Sequence, residues 1–364
     1  MDPESLELAV CASLGTPEEP SRAAVEAAEV WGLDERAELG HGDFAYSPRE
    51  LAATYADRTQ SRWVMVQAHV DNRCVGVASV QVPHVDNQHM LGVDLRIDPG
   101  SDAATVLDGL WTAVSDLLTG EGRTTVIVWL YSRPPGDPLR PRTGAGAVRR
   151  TPVTDWLEHR GFELEQVEVA STLEVPAALA HAELLEAEAT IRSAGYDLIS
   201  WVGSTPPALQ DAMAGQRARM STDVPLGEIA MEPEAWDAAR VRAEDAVVVA
   251  MGRSQVWTIA VERVSGAVVA HTMLTGPENG LTDVAFQDDT LVRTEHRGHR
   301  LGLRIKAANL RHLAEQLPRV RRIHTWNAEE NDWMLAINRQ LGFKPTSTMG
   351  CWQFRAQKPR PVGS

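Results

Sequence analysis

The chain has 364 residues, 43% of them apolar and 23% charged, with a formal net charge of -15. That length allows two domains of ordinary size, each able to bury its own core, and the absence of any run of eighteen apolar residues excludes membrane-spanning helices. The acidic balance argues against a nucleic-acid partner, and a start without basic residues predicts a protein kept in the cytoplasm. Three scattered cysteines (Cys11, Cys74, Cys351) make no disulfide frame, and the eleven histidines show no ligand spacing, so no metal is expected.

In chain order, Trp63 to Pro83 reads as two alternating apolar runs around Asp71-Asn72, a hairpin signal. A strand from Leu91 to Ile97 leads through Asp98-Pro99-Gly100-Ser101-Asp102 into a helix expected to turn Leu107, Leu110, Val114 and Leu117 inward. Ser132 to Pro152 is rich in Pro, Gly and Arg without a period, as a long solvated loop is. Pro206 and Pro207 open a predicted helix over Thr205 to Arg219. An acidic, tryptophan-bearing region follows, with Glu228, Glu232, Glu234, Trp236, Asp237, Glu244 and Asp245. Beside an acceptor site those carboxylates would favour a cationic amine. Trp257 to Leu274 is again a hairpin pattern, turning at Ser265-Gly266.

The densest signal is Thr290 to Asn309. A strand end, Leu291 and Val292, enters a turn, Arg297-Gly298-His299-Arg300-Leu301-Gly302. That turn opens a helix with Leu303, Ala307, Leu310, Ala314 and Leu317 on one face. From Val292 to Arg322 there are nine Arg and Lys against two Glu, a basic island in an acidic chain. Helix-start amides at the positive end of a dipole suit a polyanion such as a pyrophosphate. After a strand from Val320 to Trp326 comes a second helix carrying Asn331, Met334 and Asn338 on one face and ending at Leu341-Gly342-Phe343.

An internal repeat sets the domain count. The two hairpin tryptophans, Trp63 and Trp257, lie 194 residues apart, and Gly161-Phe162 echoes Gly342-Phe343. The chain therefore reads as two copies of one α/β unit, 1–178 and 179–364, with a seam near Pro176 to Ser193. Each copy is expected to be a mixed, mostly antiparallel sheet flanked by helices. The copies differ at the turn, where Asp98 and Asp102 stand in the first and arginines in the second. Carboxylates repel a pyrophosphate, so the first copy is expected to have lost cofactor binding.

The arginine-glycine turn, the following strand and the Asn-bearing helix closing on Leu-Gly-Phe resemble the GNAT superfamily of acyl-CoA-dependent N-acyltransferases, here as a tandem pair with a degenerate first copy. The resemblance implies acetyl-CoA as co-substrate, its pyrophosphate on the amides of Arg297 to Gly302 and its pantetheine arm paired with Leu291 and Val292. It also places Asn331 at the cofactor. Arg300 replaces the signature's usual first glycine. The implied reaction is N-acetylation of a small-molecule primary amine in a ternary complex, by a monomer or homodimer without nucleic acid or membrane. General-base candidates are Asp283, Asp288, Asp289, Glu295 and His271, with Asp289 and His271 leading. Where the family often has a tyrosine acid, this chain has Asn338, placed to hydrogen-bond the sulfur without donating a proton. Another acyl donor or acceptor, as in mycothiol synthase or transfer to a protein N-terminus, and a non-catalytic acyl-CoA-binding module stay open.

Overall fold

The computed structural model describes residues 6–134, 136–223, 227–278 and 282–356. The described residues fall into two compact units. The first draws on Met1–Val167, Leu226–Glu232 and Ser347–Ser364, the second on Glu168–Pro225 and Pro233–Thr346.

The first unit contains β1 (Glu7–Cys11), α1 (Arg22–Leu39), α2 (Pro48–Ala56), β2 (Ser61–Val70), β3 (Arg73–Pro83), β4 (Met90–Ile97), α3 (Ala103–Gly120), β5 (Thr125–Ser132), the short pair β6 (Pro138–Leu139) and β7 (Val148–Arg149), α4 (Pro152–His159) and the first half of β8 (Glu163–Glu174). The β2–β3 hairpin turns at Asp71 and Asn72, with φ of 51° and 61°. Two successive left-handed residues are what a tight two-residue hairpin requires, and Asx side chains tolerate that region. Helix α3 buries Val106, Leu107, Leu110, Val114 and Leu118. Leu117, expected inward, lies at the rim instead, because the buried stripe drifts one residue along the helix.

The loop after β5 is more ordered than its composition suggested. It folds back as β6–β7, and its arginines serve this unit. Arg133 donates to the Ala37 carbonyl at 2.6 Å, Arg142 to Glu163 at 3.0 Å and Arg150 to Glu158 at 2.9 Å.

The second unit contains the rest of β8, α5 (Val175–Arg192), β9 (Tyr196–Val202), α6 (Gln210–Asp223), α7 (Ala238–Ala250), β10 (Arg253–Glu262), β11 (Val268–Pro277), β12 (Val284–Val292), α8 (Leu301–Gln316), β13 (Arg322–Ala328), α9 (Asp332–Leu341) and the start of β14 (Lys344–Arg355). Most of the repeat seam, Pro176 to Ser193, is thus helix α5, packed beside α8 in one core with Leu173, Leu303, Ala307, Leu310, Leu313 and Phe343. Gly266, at φ 71°, turns the β10–β11 hairpin. Ala314 and Leu317 close the edge of this core rather than its centre.

Each unit repeats one sheet plan. In the first, β1 to β4 pair antiparallel in sequence order, and β4 lies parallel to β5. In the second, β9 to β12 do the same, and β12 lies parallel to β13. The last position is filled by exchange. Strand β5 is paired on its outer side by β14, the final strand of the chain, and β13 by the second half of β8.

Candidate active site

The parallel pairing of β12 with β13 stops at Gln287↔Thr325. Beyond it β13 continues against β8, while β12 runs on against β11 to Val292↔Ala270. The two strands therefore part, and β12 has no ladder partner on that side from Asp288 to Val292. Leu291 is buried against His271 across the β11–β12 ladder. The Val292 carbonyl accepts from Arg297 Nε at 3.2 Å, which ties the turn to the strand end.

That turn is built to keep amides open. A single 3-10 turn, Thr294 to His296, is followed by Gly298 at φ 85° and Arg300 at φ 56°, and α8 begins at Leu301. Arg300 thus holds the left-handed conformation that glycine adopts without cost, although it has a Cβ. The first ladder bond of α8 runs from Arg304 N–H to Arg300 O at 3.0 Å, and no side chain caps the helix. The amides of Leu301, Gly302 and Leu303 have no partner inside the helix. Arg297, Gly298, His299 and Arg300 are exposed around them. Gly302 is small for a reason, since a Cβ there would sit 3.1 Å from Ile337 of α9. His299 packs against Tyr196, whose hydroxyl lies 3.1 Å from His296 Nδ1.

Asn331 stands one residue before α9 and caps it, accepting from Met334 N at 3.3 Å. It therefore does not share the helix surface with Met334 and Asn338 as the spacing suggested. Asn338 is buried. Its Nδ2 donates to Asn327 on β13 at 2.6 Å, and its Oδ1 has no partner. That leaves one buried acceptor on Asn338 beside strand β13.

The candidate acid–base groups lie on β12 and β11. Thr272 pairs with Thr290 but Leu274 with Gln287, so Met273 faces two residues, Asp288 and Asp289. That is a β-bulge in β12, and it breaks the side-to-side alternation. Consecutive carboxylates consequently share a face. Asp288 accepts from Thr275 Oγ1, and Asp289 lies 3.1 Å from Arg217 Nε on α6. Asp288 is solvent-exposed, yet the surrounding protein mass pushes its carboxyl up to about 7, with Asp289 adding to the rise. Water therefore reaches a carboxyl that its surroundings make easier to protonate.

His271, on β11, is fully buried with neither ring nitrogen hydrogen-bonded, and burial pushes it down to about 4. Asp283 pairs with Arg322 at 3.0 Å at the far end of β12, and Glu295 sits in the exposed turn. One further carboxyl escaped the sequence reading. Glu168, paired with Ala328 where β13 ends, is raised to about 7 by burial and by Glu330.

The acidic wall turns out to be largely neutralised. Arg217 bonds Glu244 at 2.9 Å, and Arg240 bonds Glu234 at 2.9 Å. The two guanidinium groups lie 4.5 and 4.1 Å from the Trp236 ring centroid. Asp245 accepts from Thr205 N at 2.7 Å, and Asp237 caps α7. Glu228 and Glu232 belong to the first unit. Arg217, the hub of this network, carries no motif that spacing could reveal.

Among the described residues, no group of three or more His, Cys, Asp or Glu is placed to hold a metal, and no helix is long and apolar enough to cross a membrane.

No protein-family model matches the sequence, and no curated protein matches it. Solved structures do. A tandem GNAT protein from the clavulanic acid biosynthesis pathway, solved without acetyl-CoA, superposes with a TM-score of 0.74 at 20% identity, over 98% of this chain and 100% of that one. A GCN5-related N-acetyltransferase from Sphaerobacter thermophilus gives 0.61 at 14% identity, over 98% of each chain. The glucosamine N-acetyltransferase region of a fungal multi-domain GH3 β-N-acetylglucosaminidase gives 0.59 at 11% identity, over 96% of this chain and 38% of that one. The chain has the tandem GNAT fold.

Proposed function

We propose that the second unit is an N-acyltransferase that moves an acetyl group from acetyl-CoA to the primary amine of a small molecule. The observation that carries this reading is a single arrangement: a strand split whose one strand ends in an uncapped, arginine-bearing helix start and whose bulge presents Asp288. The chain's residues suit the coenzyme. The open amides of Leu301 to Leu303, with Arg297 and Arg300 beside them, match a pyrophosphate in charge and donor count. The unpaired edge of β12 up to Leu291 and Val292 offers backbone partners to an amide-bearing arm, with Asn331 and the orphaned Asn338 oxygen near its path.

Bound there, acetyl-CoA supplies a thioester carbon open to an amine. An amine arrives as an ammonium, so a proton must leave before its lone pair is free. Asp288 is suited to take it, because a carboxylate raised to about 7 is both ionised and basic near neutral pH. His271 and Asp289 are less suited, one sealed from solvent and the other bonded to Arg217. Asn338 has no proton to give, but a thiol with a pKa of roughly 8.5 leaves tolerably as thiolate. With Glu234, Glu244 and Asp289 matched by arginines, Asp288 offers a carboxylate to a cationic acceptor, which favours a small amine over a polycation. The acidic balance of the chain speaks against a nucleic-acid partner, and we infer a monomer or homodimer acting in the cytoplasm.

The test is a panel of small primary amines incubated with acetyl-CoA, read by free thiol release and by mass spectrometry of the acceptor. The reading requires at least one acetylated amine with stoichiometric thiol. Acetyl-CoA that fails to bind, or thiol release unaffected by every amine, refutes it.

A further inference from the structure

We propose that Arg217 is a positioning residue for the acid–base step: by holding Asp289 it sets how readily Asp288 takes a proton, so that removing Arg217 or Asp289 moves the pH response in opposite directions. This deepens the reading above and rests on Asp288 as base.

The geometry is specific. The bulge sets two carboxylates side by side on one face, where each disfavours ionisation of the other. Arg217 reaches them from α6 but is fixed elsewhere, with Nε 3.1 Å from Asp289, a second nitrogen 2.9 Å from Glu244 of α7, and its plane over Trp236. Held at three points, it does not swing to Asp288. The groups facing Asp288 are Thr275 from β11, Asp289 on its own strand, Arg253 from β10 and Arg217 from α6. Behind Arg217 stand Glu244 and Asp245 from α7, and neutral His271 lies on β11 beside Asp289. Burial alone would lower the guanidinium, and these carboxylates reverse that, so it stays a fixed positive charge. Its charge lowers the Asp288 carboxyl while Asp289 raises it. The pair works as an opposed couple on Asp288, with Arg253 adding a lowering charge that both single variants leave in place.

The test compares the pH dependence of kcat/KM in the full-length protein for wild type, Arg217→Gln, Arg217→Lys, Asp289→Asn and the double variant Arg217→Gln/Asp289→Asn. The acidic limb should rise by about one pH unit in Arg217→Gln, fall by about one unit in Asp289→Asn, and return to within about half a unit of wild type in the double variant and in Arg217→Lys. Limbs that stay put while kcat falls, or that move the same way in both single variants, overturn the proposal. If Arg217→Gln does not fold, the downward shift in Asp289→Asn remains decisive. A parallel titration of 13C-aspartate-labelled protein by NMR follows the Asp288 carboxyl without any acceptor. Opposite shifts there, with no amine acylated, would sink the acyltransferase reading and keep the role of Arg217.

Discussion

The two units share a sheet plan and differ at the places where a nucleotide and an amine would be handled. In the second, the turn after β12 leaves its amides open and carries arginines. In the first, the turn after β4 consumes its own donors. Asp98 accepts from Gly100 N at 2.9 Å, its carbonyl takes Ser101 N–H at 2.9 Å, and Arg73 pairs with its carboxylate. The strand splits differ in the same sense. The β3–β4 ladder runs without a bulge, and Arg96 is buried between Asp34 and Asp94 at 3.8 and 3.7 Å, with Trp31 and Tyr131 against its guanidinium. A cavity of about 80 Å³ lies there, lined by residues such as Leu95, Ile97, Tyr131, Ser132 and Trp352. That is room for a few waters at roughly 30 Å³ each and far too little for a pantetheine arm. The sheet plan is shared, while a bulge, a turn conformation and the side chains around them separate the two copies.

The sharpest way to break this contrast is a matched pair of substitutions. Asp94 and Asp288 are each the first residue past the last parallel pair of their split, Val93↔Val128 and Gln287↔Thr325. Asp288→Asn should lower kcat/KM by roughly 10²–10⁴ with acetyl-CoA affinity unchanged, whereas Asp94→Asn should leave turnover within about twofold. Equal losses would show that the first unit takes part in the chemistry. The stability of Asp288→Asn adds a check by thermal melts. Because the native carboxyl is raised from 3.8 to about 7, its ionised form is penalised above pH 7 and the penalty is absent below 3.8. The variant should therefore melt higher than wild type at pH 8 and equally at pH 4.

Next in size is the turn. Gly302→Glu places a carboxylate at the open amides and its Cβ close to Ile337, so acetyl-CoA affinity should fall by about 100-fold by calorimetry. An acetyl-CoA affinity that survives intact would move the coenzyme away from this helix start.

A third contrast lies at the sixth residue of each helix. In the first unit Asp108 accepts from Trp156 Nε1 at 2.6 Å and pairs with Arg160. In the second, Lys306 is buried over the Phe343 ring and burial pushes its amine down to about 7. The charged form is penalised fully below pH 7 and not at all above 10.5. Lys306→Met should raise Tm at pH 7 and below, with the gain fading as pH approaches 10.5, while Asp108→Asn should lower Tm. The smallest effect expected is that of Arg300→Gly, which relieves a left-handed cost of roughly 1 kcal/mol and weakens acetyl-CoA binding by less than about tenfold.

Much of this was legible because it is local. The Asp71-Asn72 and Ser265-Gly266 hairpins, the Arg297–Gly302 turn and the Gly342 helix end are written in residues that demand a particular backbone or period. The bulge was half visible, since Asp288-Asp289 interrupts the alternation of β12, but only pairing to β11 shows that both side chains face one way. Arg217 and Glu168 were not legible at all. Each matters through partners distant in sequence, Arg217 on β12 and α7 and Glu168 on β13, and no spacing rule connects them. The acidic stretch misled in part for the same reason, because Arg217 reaches it from α6, while Arg240 matches Glu234 from within the stretch.

The closing strands fix where the chain can be divided. A cut between β8 and α5 would strip β13 of β8 and β5 of β14 and leave naked hydrogen-bonding edges, whereas a fragment beginning before Glu168 keeps the strand that closes the second sheet. Where the chain is divided therefore decides whether the second sheet keeps its closing strand.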